Sequence, residues 1–320
     1  MLVCGLICLL YLDRYMYSLT RKVIVKLTVG LSIIFIQSIN LKNPLLAAEI
    51  EASKNISTFN IDDTVKYNQI VNYAKKNNLT SKEIGKIVQS VAQQFLGTEY
   101  QAGLLDRSTQ ENLVVSLQQF DCLLFVETVL AIADNIVQQQ YSEQDFANKI
   151  ENKRYWNGRI NGYCSRLHYF SDWIEDNQTR GNVENITRKL GGINTTKKLN
   201  FMTTHRSSYP NLAKSDLNFK CIAGVEATLS TNFNYIPTKN IQLIYSQLQP
   251  GDIVGVATNI AGLDFTHTGF VYRQPDGSIS FIHASPAGKV TIAKDLQKYV
   301  ANVKNAIGIV VSRASEPKLR

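Results

Sequence analysis

The sequence predicts an α+β fold. Helical periodicity fills the first half of the chain, and one long apolar helix follows an aspartate near residue 121. The last part carries five short apolar runs, "GDIVGVA", "HTGFVYR", "SISFIHAS", "GKVTIA" and "AIGIVVSR", separated by turn residues. Helices first and strands later are the mark of segregated layers rather than alternating βαβ units.

The chain has 320 residues, 44% hydrophobic and 19% charged, enough to bury a substantial core. Residues 1–48 differ from the rest. Met16 opens a pattern in which Arg21 and Lys22 precede the apolar "VIVKLTVGLSIIFIQSI" and the small-residue "LLAAE". This reads as an export signal with a true start at Met16, and an exported product in the periplasm or outside the cell is expected. A retained anchor helix is the competing reading, since Lys26 interrupts the run; membrane contact is expected only through this segment. Without residues 1–48 the chain holds 29 basic against 25 acidic residues, about +4 instead of +8, which is too modest to argue for nucleic acid.

Residues 49–79 read as a linker followed by an N-terminal helix from Asp62 to Asn77. From residue 80 a single domain is expected to residue 320, with a helical and loop insertion around 140–245. In "LTSKEIGKIVQSVAQQFLG", Thr80 and Glu83 have capping-box spacing. Ile84, Ile87, Val88, Val91 and Phe95 form one apolar face, and Gly97 suits the stop. "NLVVSL" reads as a short strand or extended run. Asp121 then fits the N-cap of the apolar helix and puts Cys122 in its first turn.

A cysteine is nucleophilic as its thiolate, which the amide N–H groups and dipole of a helix N-terminus favour. A small buried core residue is the bland alternative for Cys122. Of the five cysteines, Cys4 and Cys8 fall in the signal, and Cys122, Cys164 and Cys221 remain. Cys122 is expected to stay free. A Cys164–Cys221 disulfide is an open option that sequence separation does not decide.

The four histidines are His168, His205, His267 and His283. His267 lies 145 positions after Cys122 and His283 ends the next strand. A two-residue Asp276-Gly277 loop would put the two imidazoles on opposite faces. Gln274-Pro275-Asp276-Gly277 instead favours a three-residue bulged hairpin, which pairs Gln274 with Ser278 and His283 with Gly269. His267 and His283 then share a face. Both could be structural, or could hold a metal with Cys122, but no CxxC or HxxxH cluster accompanies them; neither metal nor cofactor is expected.

"LGTEYQAG", "DCLLFVE", "QPGDIVGV", "THTGFV" and "FIHAS" resemble, in that order, NlpC-type cell-wall hydrolases, which are papain-like cysteine enzymes. The resemblance implies Cys122 as nucleophile, His267 as base and His283 as the orienting third residue. It also implies that Tyr100 joins the Cys122 backbone N–H in stabilising the oxyanion, with a structural tyrosine as the alternative. "SRLHYFSDWIEDN", "NFMTTHRSSYP", "GLDFTHTGF" and "FIHASPAGKVTI" look like the branch resembling N-acetylmuramoyl-L-alanine amidases. That narrower match implies hydrolysis of the lactyl–L-Ala amide in peptidoglycan fragments. A D-glutamyl–diamino-acid endopeptidase, an acyltransferase and a non-catalytic wall-binding module are the alternatives. Leu123 and Leu124 depart from the small or hydroxyl residues usual after Asp-Cys, which bears on pocket shape.

Arg166, His168, Tyr169, Asp172 and Trp173 could line the substrate cleft, with Arg166 on a peptide carboxylate and Trp173 on a sugar face. A helix burying Leu167, Phe170 and Ile174 explains the same pattern. Asp264 could bind ligand or cap a loop. His205 reads as a structural histidine, and Glu127 as half of an ion pair.

Overall fold

The computed structural model describes residues 59–229 and 232–317. The expected export signal and most of the expected linker lie outside the described residues.

Helix α1 (Ile61–Lys76) matches expectation to within a residue and is capped by Asn60, whose side chain accepts from the Asp63 N–H. Helix α2 (Ile84–Gln93) buries Ile84, Ile87, Val88 and Val91, and Phe95 is buried just beyond its end. The expected capping box does not form. Thr80 sits in a 3-10 turn (Leu79–Ser81), and the N-cap position falls to Glu83, which gives no side-chain bond. The orphan Ile84 N–H donates instead to the Glu316 carboxylate at 3.0 Å, a partner 232 residues away. Gly97, with φ +86°, turns the chain out of the helical region.

"NLVVSL" is extended but pairs into no named strand; the Leu117 N–H donates to Asp63 at 2.7 Å. The strand follows it: β1 (Glu99–Tyr100) pairs in parallel with β2 (Gln119–Phe120). Helix α3 (Cys122–Gln138) then begins at the expected N-cap. The Asp121 carboxylate accepts from the Leu123 and Leu124 N–H groups at 3.0 and 2.8 Å. Every residue from Cys122 to Ile136 is buried, so α3 is a central helix enclosed on all sides.

The segment expected as helix and loop contains α4 (Glu143–Arg154), α5 (Phe170–Thr179) and α6 (Asp216–Thr228). It also contains three strands that the sequence reading lacked: β3 (Val183–Asn185), β4 (Ile193–Thr196) and β5 (Asn232–Pro237). They join β6 (Ile253–Thr258), β7 (Phe265–Arg273), β8 (Ile279–Ala284), β9 (Val290–Ala293) and β10 (Ala306–Ala314) in one antiparallel sheet ordered β4-β5-β10-β6-β7-β8-β9, with β3 also on β10. The five strands read from the sequence are all present. A Cys164–Cys221 disulfide ties the turn before α5 to α6.

Alternate residues of the sheet enter two cores. Ile253, Ala257, Phe270, Ile282 and Val310 belong to the core shared with α2 and α3. Val254, Val256, Val271, Phe281 and Val311 pack with Leu296 and Val300 of the short helix α7 (Leu296–Asn302). Both faces are covered, which is why these strands read as near-continuous apolar runs.

Candidate active site

The β7–β8 hairpin adopts the bulged form. Phe270 pairs with Ile282, the Gln274 N–H donates to Ser278 O at 2.9 Å, and Gly277 takes φ +85°. His267 and His283 therefore share a face, with Nε2 of His267 2.7 Å from Nδ1 of His283 and the two rings nearly perpendicular. A second irregularity helps aim His267. Val256 pairs with His267 but Ala257 pairs with Phe265, so Thr266 is an extra residue that bends β7 just before the imidazole.

Continuing the hairpin register puts Gly269 opposite His283. A Cβ at Gly269 would lie 2.8 Å from the His283 Cβ, 2.7 Å from the Phe281 ring and 2.6 Å from Ile282 O. Glycine is thus required for the imidazole to occupy its place. The His283 ring stacks on Phe281 at 4.8 Å and contacts Tyr299 of α7 at 4.6 Å. Burial pushes His283 down to about 4, and burial with the neighbouring His283 ring holds His267 well below the usual imidazole range. Two neutral imidazoles sharing one hydrogen bond is the state these surroundings favour.

Cys122 opens α3, 2% exposed. One turn later Phe125 meets Phe270 of β7 edge-on at 5.7 Å, so the start of the helix is packed against the strand that carries His267. Tyr100 pairs with Phe120, two residues before the cysteine, and its N–H donates to Gly288 O at 2.8 Å in the β8–β9 turn. The segment leading to Cys122 is thereby tied to the turn just after His283. Burial pushes the capping Asp121 carboxyl up to about 6, against the lowering effect of the Leu124 N–H. Cys164 and Cys221 bond each other, the pairing the sequence left open, and a nucleophilic role for Cys122 requires its reduced form.

The expected cleft residues are committed elsewhere. The Arg166 guanidinium is buried between Asp106 at 3.0 Å and Glu111 at 3.2 Å, and lies over the Tyr163 ring. Trp173 is fully buried against Phe170, and the Tyr169 hydroxyl donates to Glu226 at 2.6 Å. These three serve the interior, so their expected reach to a ligand is corrected. His168 lies with Nε2 2.9 Å from Tyr163 O. Asp172 is buried, its carboxyl pushed up to about 8 by burial and then by Asp176 and Asp264. Asp264 caps, accepting from the Ser171 N–H and hydroxyl at 2.8 and 2.7 Å. His205 is the structural histidine expected, its ring stacked on Phe201 with Nδ1 2.8 Å from Phe201 O. Glu127 does pair, in a fully buried bridge to Arg154 at 2.7 Å. Sequence reasoning missed Tyr299 and the role of Gly269; the latter was detectable, since the expected register already put it opposite His283.

A mixed sheet-and-helix protein with a buried, coupled imidazole pair and a helix-capped cysteine is of an amidase-like class. The AmiA-like profile, described as N-acetylmuramoyl-L-alanine amidase-like, matches residues 90–309, and the chain belongs to that family. Among solved structures it is similar to an N-acetylmuramoyl-L-alanine amidase from Bacteroides uniformis ATCC 8492, with 30% identity, a TM-score of 0.69, and coverage of 73% of this chain and 100% of that one. A Bacteroides fragilis protein named as a candidate xylanase is 33% identical with a TM-score of 0.63, covering 70% and 99%. Protein LPG0564 from Legionella pneumophila str. Philadelphia 1 shares the fold at 23% identity and a TM-score of 0.60, covering 85% and 97%. No curated protein sequence matches the chain.

Proposed function

We propose that this chain is a cysteine-dependent N-acetylmuramoyl-L-alanine amidase of the NlpC-type, papain-like group, hydrolysing the lactyl–L-Ala amide of peptidoglycan fragments outside the cytoplasm. The observation that carries the reading is the 2.7 Å contact between His267 Nε2 and His283 Nδ1, taken with an Asp121-capped Cys122 on the helix packed against β7.

With Nε2–H donated to His283, the basic nitrogen of His267 is Nδ1. Nδ1 takes the proton of reduced Cys122 as the sulfur attacks the lactyl carbonyl, then delivers it to the departing L-Ala nitrogen. Water, deprotonated by the same nitrogen, releases the lactyl carboxylate and restores the thiol. His283 holds the tautomer of His267. The Cys122 N–H and the Tyr100 hydroxyl receive the developing oxyanion. Hydrolysis of a xylan would instead call for two carboxyl groups flanking the scissile bond, whereas the coupled pair here consists of imidazoles.

Mass spectrometry of defined muropeptides incubated with the protein, with reductant and EDTA present throughout, tests this. Release of an intact peptide beginning at L-alanine by the wild type, and not by Cys122→Ala, is the expected result. A muramyl dipeptide product would move the reading to the D-glutamyl peptidase; equal cleavage by both proteins would remove Cys122 from the chemistry.

A further inference from the structure

We propose that Tyr299 of α7 is a positioning residue for the His267–His283 pair, its ring forming the outer wall that keeps water from the imidazoles and holds His283 in its plane. The proposal rests on the reading of that pair as the catalytic base and its partner. Two rings, Phe281 and Tyr299, lie against the contact. Phe281 is fully buried, His283 and His267 are 2% and 6% exposed, and Tyr299 is the half-buried member, so Tyr299 stands between the pair and solvent. Its ring centre is 4.6 Å from that of His283, 5.9 Å from that of His267 and 5.0 Å from that of Phe281. Phe281 lies nearly parallel to His283 at 4.8 Å, so the rings of His283, Phe281 and Tyr299 touch one another in a triangle drawn from two elements, with Gly269 across the strand permitting the close fit.

Tyr299 is not what holds α7 in place. Leu296 and Val300 are fully buried in the second core, Asp295 caps the helix through the Lys298 N–H at 2.7 Å, and the Gln297 N–H donates to the Tyr245 hydroxyl at 2.8 Å. The ring at 299 can therefore be shortened with the helix still anchored. The strands flanking the pair offer Val256 opposite His267 and Thr291 opposite His283. Neither titrates, so the titratable groups in ring contact with the pair, among the described residues, are the two imidazoles and Tyr299. Cys122, which opens the helix packed on β7 through Phe125 and Phe270, is the further titratable group that the proposed chemistry brings to the pair when reduced.

Admitting water beside His283 stabilises its protonated form and moves its titration up toward the ordinary imidazole range. The experiment is a nitrogen-detected NMR titration of the imidazoles in full-length Cys122→Ala protein, with Tyr299 intact, Tyr299→Phe and Tyr299→Ala compared. The Phe variant should titrate like its parent, and the Ala variant should shift the pair upward by about one pH unit or more. In the Cys122-intact enzyme the Ala change should move the acid limb of kcat/KM by a similar amount with KM little altered. An unchanged titration in Tyr299→Ala, with folding verified by circular dichroism, overturns the proposal. Should the Ala variant not fold, Tyr299→Gln, which keeps a helix-forming stem without the ring, is read by the same criterion. The titration needs no turnover: a shifted titration in a protein that cleaves no muropeptide would sustain the positioning role while removing the amidase reading.

Discussion

Nε2 of His267 and Nδ1 of His283 stand 2.7 Å apart across the β7–β8 hairpin, inside an aromatic box and with rings nearly at right angles. In the proposed mechanism this contact fixes which nitrogen of His267 is basic. His283→Ala is expected to lower kcat by roughly 10²-fold or more, the usual weight of a well-placed acid–base arrangement. His283→Asn, which keeps a short acceptor, should retain more. Steady-state kinetics on a defined muropeptide separates the two.

The same histidine makes the fold acid-sensitive. Its folded titration point, about 4, lies below the ordinary 6.5, so between those values the unfolded chain binds more protons than the native one. Stability conferred by the neutral ring is full above pH 6.5 and declines as pH falls through 4. Urea denaturation of wild type and His283→Gln across pH 7 to 4 should show the wild type losing more stability over that interval than the variant.

Asp172 has the opposite sign. Its folded carboxyl titrates at about 8 against an ordinary 3.8, so the charged form is penalised and the penalty grows as pH rises from 3.8 to 8. Asp172→Asn is expected to stabilise the protein by roughly 1–3 kcal/mol at pH 8, and to make little difference near pH 4. Thermal melts at the two pH values check this.

Gly269→Ala tests the packing that seats His283. The added methyl would press within 3 Å of the His283 Cβ, the Phe281 ring and Ile282 O. A loss of about 1–3 kcal/mol is expected from overpacking. Activity should fall by more than the unfolded fraction explains, because the displaced atom belongs to the imidazole's own side chain; activity and melting measured on one sample distinguish the two losses.

How much of this was legible in the sequence depends on where the information sits. The five C-terminal strands were readable because buried β-branched runs are punctuated by turn residues. The hairpin register followed from Pro275 and Gly277, since one residue more or less in that loop reverses every side chain on β8. Asp121 was readable as a cap because its role is local. Strands β3, β4 and β5 were not: "VEN", "INTT" and "NFNYIP" are short and polar, and their place is set by pairing with distant β10 or with each other. The Glu316 bond to Ile84 replaced a capping box whose spacing was correct but whose partner lay elsewhere. Arg166 and Trp173 misled for a related reason. A polar residue on a helical pattern looks solvated until the acids that bury it, here Asp106 and Glu111, come from another loop.

The buried Glu127–Arg154 bridge makes that point testable. Arg154 also donates to Val114 O, joining α3 and α4 to the loop that leads to Cys122. Arg154→Met leaves an unpaired carboxylate in the interior, and a loss of about 3–5 kcal/mol is expected. Replacing both members with apolar residues of similar volume should recover part of that loss. Denaturation of the single and double variants gives the comparison.

Strand β10 lies in the interior of the sheet, between β5 and β6, yet it is the last strand along the described chain. During synthesis, every other strand emerges before the one that joins them. A growing chain that has not yet extended past residue 306 holds β6 with one edge uncovered and β5 with no inner neighbour, and such unpaired edges invite aggregation. The domain therefore acquires its native sheet in a late step, once β10 is available, that depends on contacts far apart in the chain. A carrier that keeps the nascent polypeptide extended would suit this order of assembly.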